Sequence, residues 1–312
     1  MQLCLHHDPQ GYYVSGRGIG RDGDFITAPE VSPLFGKALA AWVAAQWQAL
    51  GGPAAWRLVE LGPGRGTLMA GLLPQLAASQ TPAPRVLHLV EASPAFQAQI
   101  RERLHGPLAF VADLGALPPS DLPTLIIGNE YLDALPVRQF RRQEGRLYEI
   151  CVGLDTQGQD LAFVRRDASR QPCPLAQDGY WETCGPAQAQ LRFLASEIQV
   201  AGGAVLLIDY GYTSWPGRPT FQALARHNPV NPLATPGQAD LTALVDFATL
   251  AQVVAQAGLR PQVESQQALL LRLGFANLLD QAPQEAAAAA RLIRPDAMGR
   301  LFQALSFAAP IP

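Results

Sequence analysis

Apolar residues along this chain come in short blocks separated by longer amphipathic stretches. Residues 56–61 (WRLVEL), 86–90 (VLHLV), 108–111 (LAFV), 124–127 (TLII) and 204–208 (AVLLI) are nearly unbroken apolar runs. Runs of that length, bounded by turn residues, read as strands covered on both faces. Helical patterns occupy residues 67–77 and 94–104 between the first three of them. Strands alternating with helices predict an α/β fold with a mostly parallel sheet.

Before the first run, Ser32-Pro33 reads as a helix cap followed by proline at the first helical position, and the pattern then continues to about residue 50, where Gly51-Gly52 stops it. Residues 1–50 therefore read as an N-terminal cover and helix on a single domain spanning 1–312. Two segments break the alternation. Residues 138–200 begin with charge-rich, hairpin-like pieces (RLYEICVGL, LAFVRR), and residues 211–245 are rich in Pro, Gly and Asn. Both are expected to be insertions on the loop side of the sheet, the first forming a lid segment. Farther on, residues 247–257 predict an amphipathic helix stopped by Gly258, residues 269–273 a late strand, and QEAAAAARLI a helix.

Composition narrows the function classes. The net charge of −3 leaves no electrostatic footprint for nucleic acid. Cys4, Cys151, Cys173 and Cys184 form no C-x-x-C pair, and no Cys/His set has zinc spacing, so no metal is expected. No uncharged apolar run reaches membrane-spanning length. MQLCLHHDPQ lacks the layout of a signal peptide, which makes the cytoplasm the expected location.

The strongest local motif is VELGPGRGTL, residues 59–68. Glu60 precedes Gly62, Gly64 and Gly66, between a strand and a helix. The glycines let the backbone turn tightly and approach a ligand. The spacing is G-x-G-x-G rather than the G-x-G-x-x-G of dinucleotide sites, and Pro63 and Arg65 crowd the place where a pyrophosphate would lie. Glu91 ends the second run, where a carboxylate suits two ribose hydroxyls. Asp113, with Leu114 beside it, follows the third, where a carboxylate suits an adenine amine. Each acid alone is equally a helix cap or a solvated loop residue. An acid after each of three successive strands favours S-adenosylmethionine (SAM) as cofactor.

At this point the sequence resembles the MidA-like SAM-dependent methyltransferases. The matching pieces are DPQGYY (8–13), GDFITAPEVSPLFG (23–36), VELGPGRGTLM (59–69), LVEASP (89–94), GNEYLDALPVRQF (128–140), IDYGY (208–212), PGQADLTALVDF (236–247) and MGRLFQALSF (298–307), in the family's order. The resemblance implies a class I, Rossmann-like methyltransferase fold with a seven-stranded sheet and lid insertions. It also implies protein arginine N-methylation, since the mitochondrial members are similar to arginine methyltransferases that modify a subunit of respiratory complex I during assembly. This chain departs from the family with Leu244 where members commonly carry His, and with Gln267-Ala268 in place of Gln-Gly.

The acceptor side is expected at LIIGNEYLDALPV, residues 125–137. A guanidinium is planar and cationic, and carboxylates match it in a fork. Glu130 is the expected clamp, Asp133 its partner or proton acceptor, and Asn129 a hydrogen-bonding group. An Asx turn for Asn129 and a helix cap for Asp133 compete with these roles. Asp209, Tyr210, Asp240 and Thr242 are weaker candidates. Thr27 and Glu30 either close over the cofactor or form a Thr-x-x-Glu capping arrangement. The partner expected is a protein substrate. Two further function classes stay open: a SAM-binding assembly factor without turnover, and a nicotinamide-dependent oxidoreductase.

Overall fold

The computed structural model describes residues 1–7, 10–14 and 26–312. Parts of DPQGYY and GDFITAPE therefore lie outside the described residues. In chain order the elements are α1 (Gln2–His6), α2 (Ala28–Val31), α3 (Leu34–Ala49), β1 (Arg57–Leu61), α4 (Thr67–Ala78), β2 (Val86–Val90), α5 (Pro94–Arg103), β3 (Leu108–Val111) and β4 (Thr124–Asn129). Four strands follow: β5 (Arg138–Gln143), β6 (Arg146–Leu154), β7 (Leu161–Asp167) and β8 (Gly179–Thr183). Then come α6 (Gly185–Ala201), β9 (Gly203–Tyr212), β10 (Gln222–Ala225), β11 (Asn228–Val230), β12 (Asp240–Thr242) and β13 (Val245–Asp246). The last are α7 (Phe247–Gln256), β14 (Gln262–Ser265), α8 (Gln266–Arg272), α9 (Phe275–Gln281), α10 (Ala286–Ile293), α11 (Met298–Leu301) and β15 (Phe302–Ala309).

The main sheet runs β14-β15-β9-β4-β1-β2-β3, with the two-residue β13 pairing to β9. β3, β2, β1, β4 and β9 are parallel, and β15 is antiparallel to both its neighbours. The central strands are buried on both faces, as their apolar runs require: all five residues of β1 and all six of β4 are buried. Alternate residues feed two cores. Leu58, Leu125 and Leu206 pack toward α3, α4 and α8, while Val59, Ile126 and Val205 pack toward α6 and α7.

The two inserted regions form small sheets of their own. β7-β6-β5-β8 is one antiparallel sheet, and β11-β10-β12 is another. The stretch expected as a lid also contains α6, which is no part of that small sheet. Leu191, Leu194, Ala195 and Ile198 of α6 are fully buried against the main sheet. A helix must cover that face between β4 and β9, because both strands are apolar on both sides.

The late strand expected at residues 269–273 is not there. Those residues belong to α8 and the turn after it. Ser265 caps this helix, its Oγ accepting from the Ala268 N–H at 3.2 Å. An apolar run such as LLLRL does not by itself separate a buried helix from a strand. The strands at this edge are β14 and β15 instead. Ala268 lies in the first turn of α8, so alanine meets no demand for a positive φ there. No helix among the described residues is long and apolar enough to cross a membrane.

Replacing Ser265 by Ala removes the α8 cap and is expected to lower stability by about 1 kcal/mol, with Ser265→Asp near neutral. Urea unfolding of the three proteins checks this; equal midpoints would show that the cap carries no stability.

Candidate functional site

The parallel strands end level with one another. Leu61 of β1 is in register with Val90 of β2 and Gly128 of β4, Val90 with Val111 of β3, and Asn129 with Ile208 of β9. The strand order reverses direction of growth at β1, with β2 and β3 to one side and β4 and β9 to the other. The crevice beyond the carboxyl ends of such strands is where α/β sheets bind ligands. A cleft of about 1480 Å³, its open mouth included, lies there.

Thr27, Glu60, Gly62, Gly64, Glu91, Asp113, Asn129 and Glu130 all line this cleft. Three other expected residues do not. Gly66 stands at the start of α4 with φ +74°. Leu114 is buried in the core behind β3. Asp133 is buried, bonded to the Tyr210 hydroxyl.

On the expected cofactor side, Gly62 and Gly64 have φ of +62° and +52°. A Cβ on Gly62 would come within 2.9 Å of the Tyr131 ring, so the loop has room for a ligand only as glycine. Glu60 is buried, and its Oε2 has no hydrogen-bond partner. Burial, and then the charge of Glu91, push its carboxyl up to about 8. Glu91 accepts from the Ser93 N–H at 2.7 Å, yet burial still raises it to about 7. Asp113 caps the short turn after β3, its Oδ1 accepting from the Ala116 N–H at 3.0 Å. The capping role and a place in the cleft coexist at this residue. Glu60, desolvated with an acceptor unmet among the described residues, and Glu91, desolvated beside it, stand next to a glycine cradle and fit the hydroxyls and positive charge of SAM.

On the opposite side, Glu130 adopts φ +52°, an unusual left-handed conformation for a side chain of its size. Its Oε1 accepts from the Ala28 N–H at 2.7 Å and from Asn129 Nδ2 at 2.9 Å. Burial nevertheless lifts the carboxyl to about 7, with the charges of Glu30 and Asp240 adding to the rise. Asn129 Oδ1 is buried and unpartnered. The Asn129 side chain thus supports Glu130 rather than closing an Asx turn.

Behind this pair lies a knot of buried polar groups. Asp209, fully buried, accepts through Oδ2 from the N–H groups of Tyr131, Leu132 and Asp133 at 3.1, 2.8 and 3.2 Å, and through Oδ1 from the Tyr210 N–H at 2.9 Å. Asp209 therefore fixes the loop after β4 and neither lines a channel nor pairs with an arginine. Tyr210 donates to Asp133, whose carboxyl burial holds well above its ordinary range. Asp240 and Thr242 are buried on β12, and Tyr13 at the cleft wall donates to Asp240 Oδ1 at 2.7 Å.

Thr27 is the N-cap residue of α2, but its side chain makes no capping bond, so the Thr-x-x-Glu arrangement does not form. Leu244 lies on a separate crevice with Tyr212 and Cys184, outside the cleft. Two cleft residues had no signal in the sequence. Tyr131 walls the glycine loop, and Gln190 of α6 bonds to it while leaving its own Oε1 buried and unpartnered. Only the tertiary fold brings α6 to this place.

Gly62→Ala is expected to weaken S-adenosylhomocysteine binding roughly tenfold while the protein stays folded; calorimetric titration checks it, and unchanged affinity would remove the loop from the site. A second expectation concerns pH. The folded state binds a proton at Glu60 that the unfolded chain releases near pH 4.5, so Glu60 erodes stability as pH rises from there to about 8. Glu60→Gln should flatten that decline by an amount on the order of 2–4 kcal/mol. Denaturant unfolding at pH 5.5 and 8.5 is the check, and parallel declines would contradict the assignment.

Comparison with known proteins agrees with this geometry. Residues 38–265 match a family described as "Putative S-adenosyl-L-methionine-dependent methyltransferase". A Drosophila melanogaster protein named protein arginine methyltransferase NDUFAF7 homolog, mitochondrial, is 31% identical over 83% of this chain and 66% of its own length. The chain thus spans just under two thirds of that relative. The Danio rerio NDUFAF7 is 31% identical over 98% of this chain and 81% of its own. Among solved structures, a Burkholderia thailandensis protein bound to S-adenosylhomocysteine is 29% identical and covers all of this chain and 87% of that one, with a TM-score of 0.86. The curated relatives carry mitochondrial names, which overturns the cytoplasmic location expected from the N-terminal residues. Composition and the first residues of the given sequence say too little about targeting to stand against them. SAM is the cofactor, and the chain belongs to this family of S-adenosylmethionine-dependent methyltransferases.

Proposed function

We propose that the chain methylates an arginine side chain of a protein, with Glu130 holding the guanidinium. The observation that carries the proposal is the state of Glu130. It is a desolvated carboxylate, locked at φ +52° beside the cleft, with one oxygen fixed by two donors and no cation among the described residues bonded to it. A cationic acceptor restores the charged form that burial disfavours. The names of the curated relatives, protein arginine methyltransferases, support the same acceptor. A subunit of respiratory complex I is the first protein to test.

Bound SAM supplies a methyl carbon on a positively charged sulfur. With SAM bound, a guanidinium nitrogen would form the new N–C bond as the S–C bond breaks, its electron pair passing to sulfur and the proton of that nitrogen to solvent water at the cleft mouth. Glu130 aligns the guanidinium and draws positive charge toward the fork, leaving the far nitrogen more nucleophilic. Asn129 fixes Glu130 Oε1. Asp133, buried with the Tyr210 hydroxyl bonded to it, supports the clamp from beside Glu130, whose charge acts on it.

Glu130→Gln is expected to lower kcat/KM for the acceptor roughly 100-fold or more, with S-adenosylhomocysteine affinity nearly unchanged. In the wild type at saturating SAM, kcat/KM should rise with pH through a limb centred at or below 7, because the clamp must ionise; the variant should lose that limb. Transfer of labelled methyl to complex I subunits, followed by hydrolysis and identification of the methylated amino acid, is the assay. Label on any residue other than arginine would overturn the proposal.

A further inference from the structure

We infer that Glu30 is the second carboxylate of the acceptor clamp, so that the guanidinium is held between Glu30 of α2 and Glu130 of the β4 loop. This rests on the arginine reading above and adds a residue to it. A planar cation with donors on two edges is oriented by two carboxylates far better than by one. The sequence offers Asp133 as partner to Glu130, but its side chain is buried against the Tyr210 hydroxyl and is not among the residues that line the cleft. Glu30 takes the vacant role on four observations.

Glu30 lines the cleft together with Glu130. The two are tied through the backbone, since the Ala28 N–H that grips Glu130 Oε1 lies two residues before Glu30 in the same helical turn. Their side chains are close enough for the charge of Glu30 to act on Glu130. Finally, the Glu30 side chain is only 10% exposed, and its two oxygens are used unequally. Oε1 faces Arg65 Nη1 at 3.6 Å, while Oε2 is buried with no hydrogen-bond partner among the described residues. A buried carboxylate oxygen left without a donor is costly, and a guanidinium N–H is the donor the proposed acceptor brings. Arg65 is itself anchored on Gln99 Oε1 at 3.2 Å, so it orients one oxygen of Glu30 without occupying the other.

The amine of the SAM amino-acid end is the competing use for Oε2, and the two uses separate by experiment. Glu30→Gln and Asp133→Asn are compared with wild type in two measurements. One is S-adenosylhomocysteine affinity by calorimetry, which also reports folding. The other is acceptor kinetics at saturating SAM, with the labelled methyl group identified after hydrolysis. Glu30→Gln is expected to keep the cofactor affinity within about twofold and to raise KM or lower kcat/KM for the acceptor roughly 10- to 100-fold. Asp133→Asn is expected to have the smaller effect of the two on acceptor KM. If Glu30→Gln weakens S-adenosylhomocysteine binding and leaves acceptor KM unchanged, Glu30 serves the cofactor and the inference fails while the arginine reading stands. If the wild type places its label on a residue other than arginine, the arginine reading fails and this clamp falls with it.

Discussion

Carboxylates taken out of water without a neutralising cation are the constraint around which this cleft is organised. Glu60, Glu91 and Glu130 are each pushed up to about 7 or 8 by burial. Ordinary structural acids in proteins are paired or solvated, because an isolated buried charge is expensive. Here the unpaired state is maintained by scaffold groups that do not titrate. Backbone N–H groups hold Asp209, Glu91 and Glu130 in place, and an amide side chain completes Glu130. The result is a site whose favourable partner is a cation from outside, such as the sulfonium of SAM.

That arrangement follows from the sheet. Parallel strands in level register bring several strand ends to one crevice, and the reversal of strand order at β1 opens it. Asp209, in the second half of β9, gathers three consecutive N–H groups of the loop after β4, a connection between neighbouring strands that sequence distance hides. With that loop fixed, Glu130 is held at a positive φ and its side chain meets α2. Strain of this kind persists only where surrounding structure over-determines it. The loop, the N-terminal turn and the cleft are therefore one mechanical unit.

The parallel half of the fold was legible because strands buried on both faces leave continuous apolar runs, and those of β2 and β3 appear at the boundaries the pattern marks. The antiparallel edge was not. β14 and β15 carry mixed patterns, and the apolar run at residues 269–273 points to a strand where Ser265 caps a helix. Helix α6 hid inside a segment whose hairpins dominate its composition. At the site, acids that directly follow strands were readable, since strand ends point into the crevice. Asp133 was harder to place, because a loop of three or four residues can turn a side chain toward the cleft or, as here, against the Tyr210 hydroxyl. Glu30 read either as closing over the cofactor or as half of a cap, and nothing in the sequence singled out Gln190. Both acquire their places only through tertiary packing.

Proton counting tests the central claim most directly. SAM and S-adenosylhomocysteine differ by a methyl group and a positive charge, so their binding differs in how far it drives buried acids to ionise. Calorimetric titration of each ligand at pH 7, in buffers of different ionisation enthalpy, yields the protons released on binding. Carboxylates poised at about 7 to 8 predict that SAM releases clearly more protons than S-adenosylhomocysteine. Equal release for the two ligands would contradict a cleft built on unneutralised carboxylates.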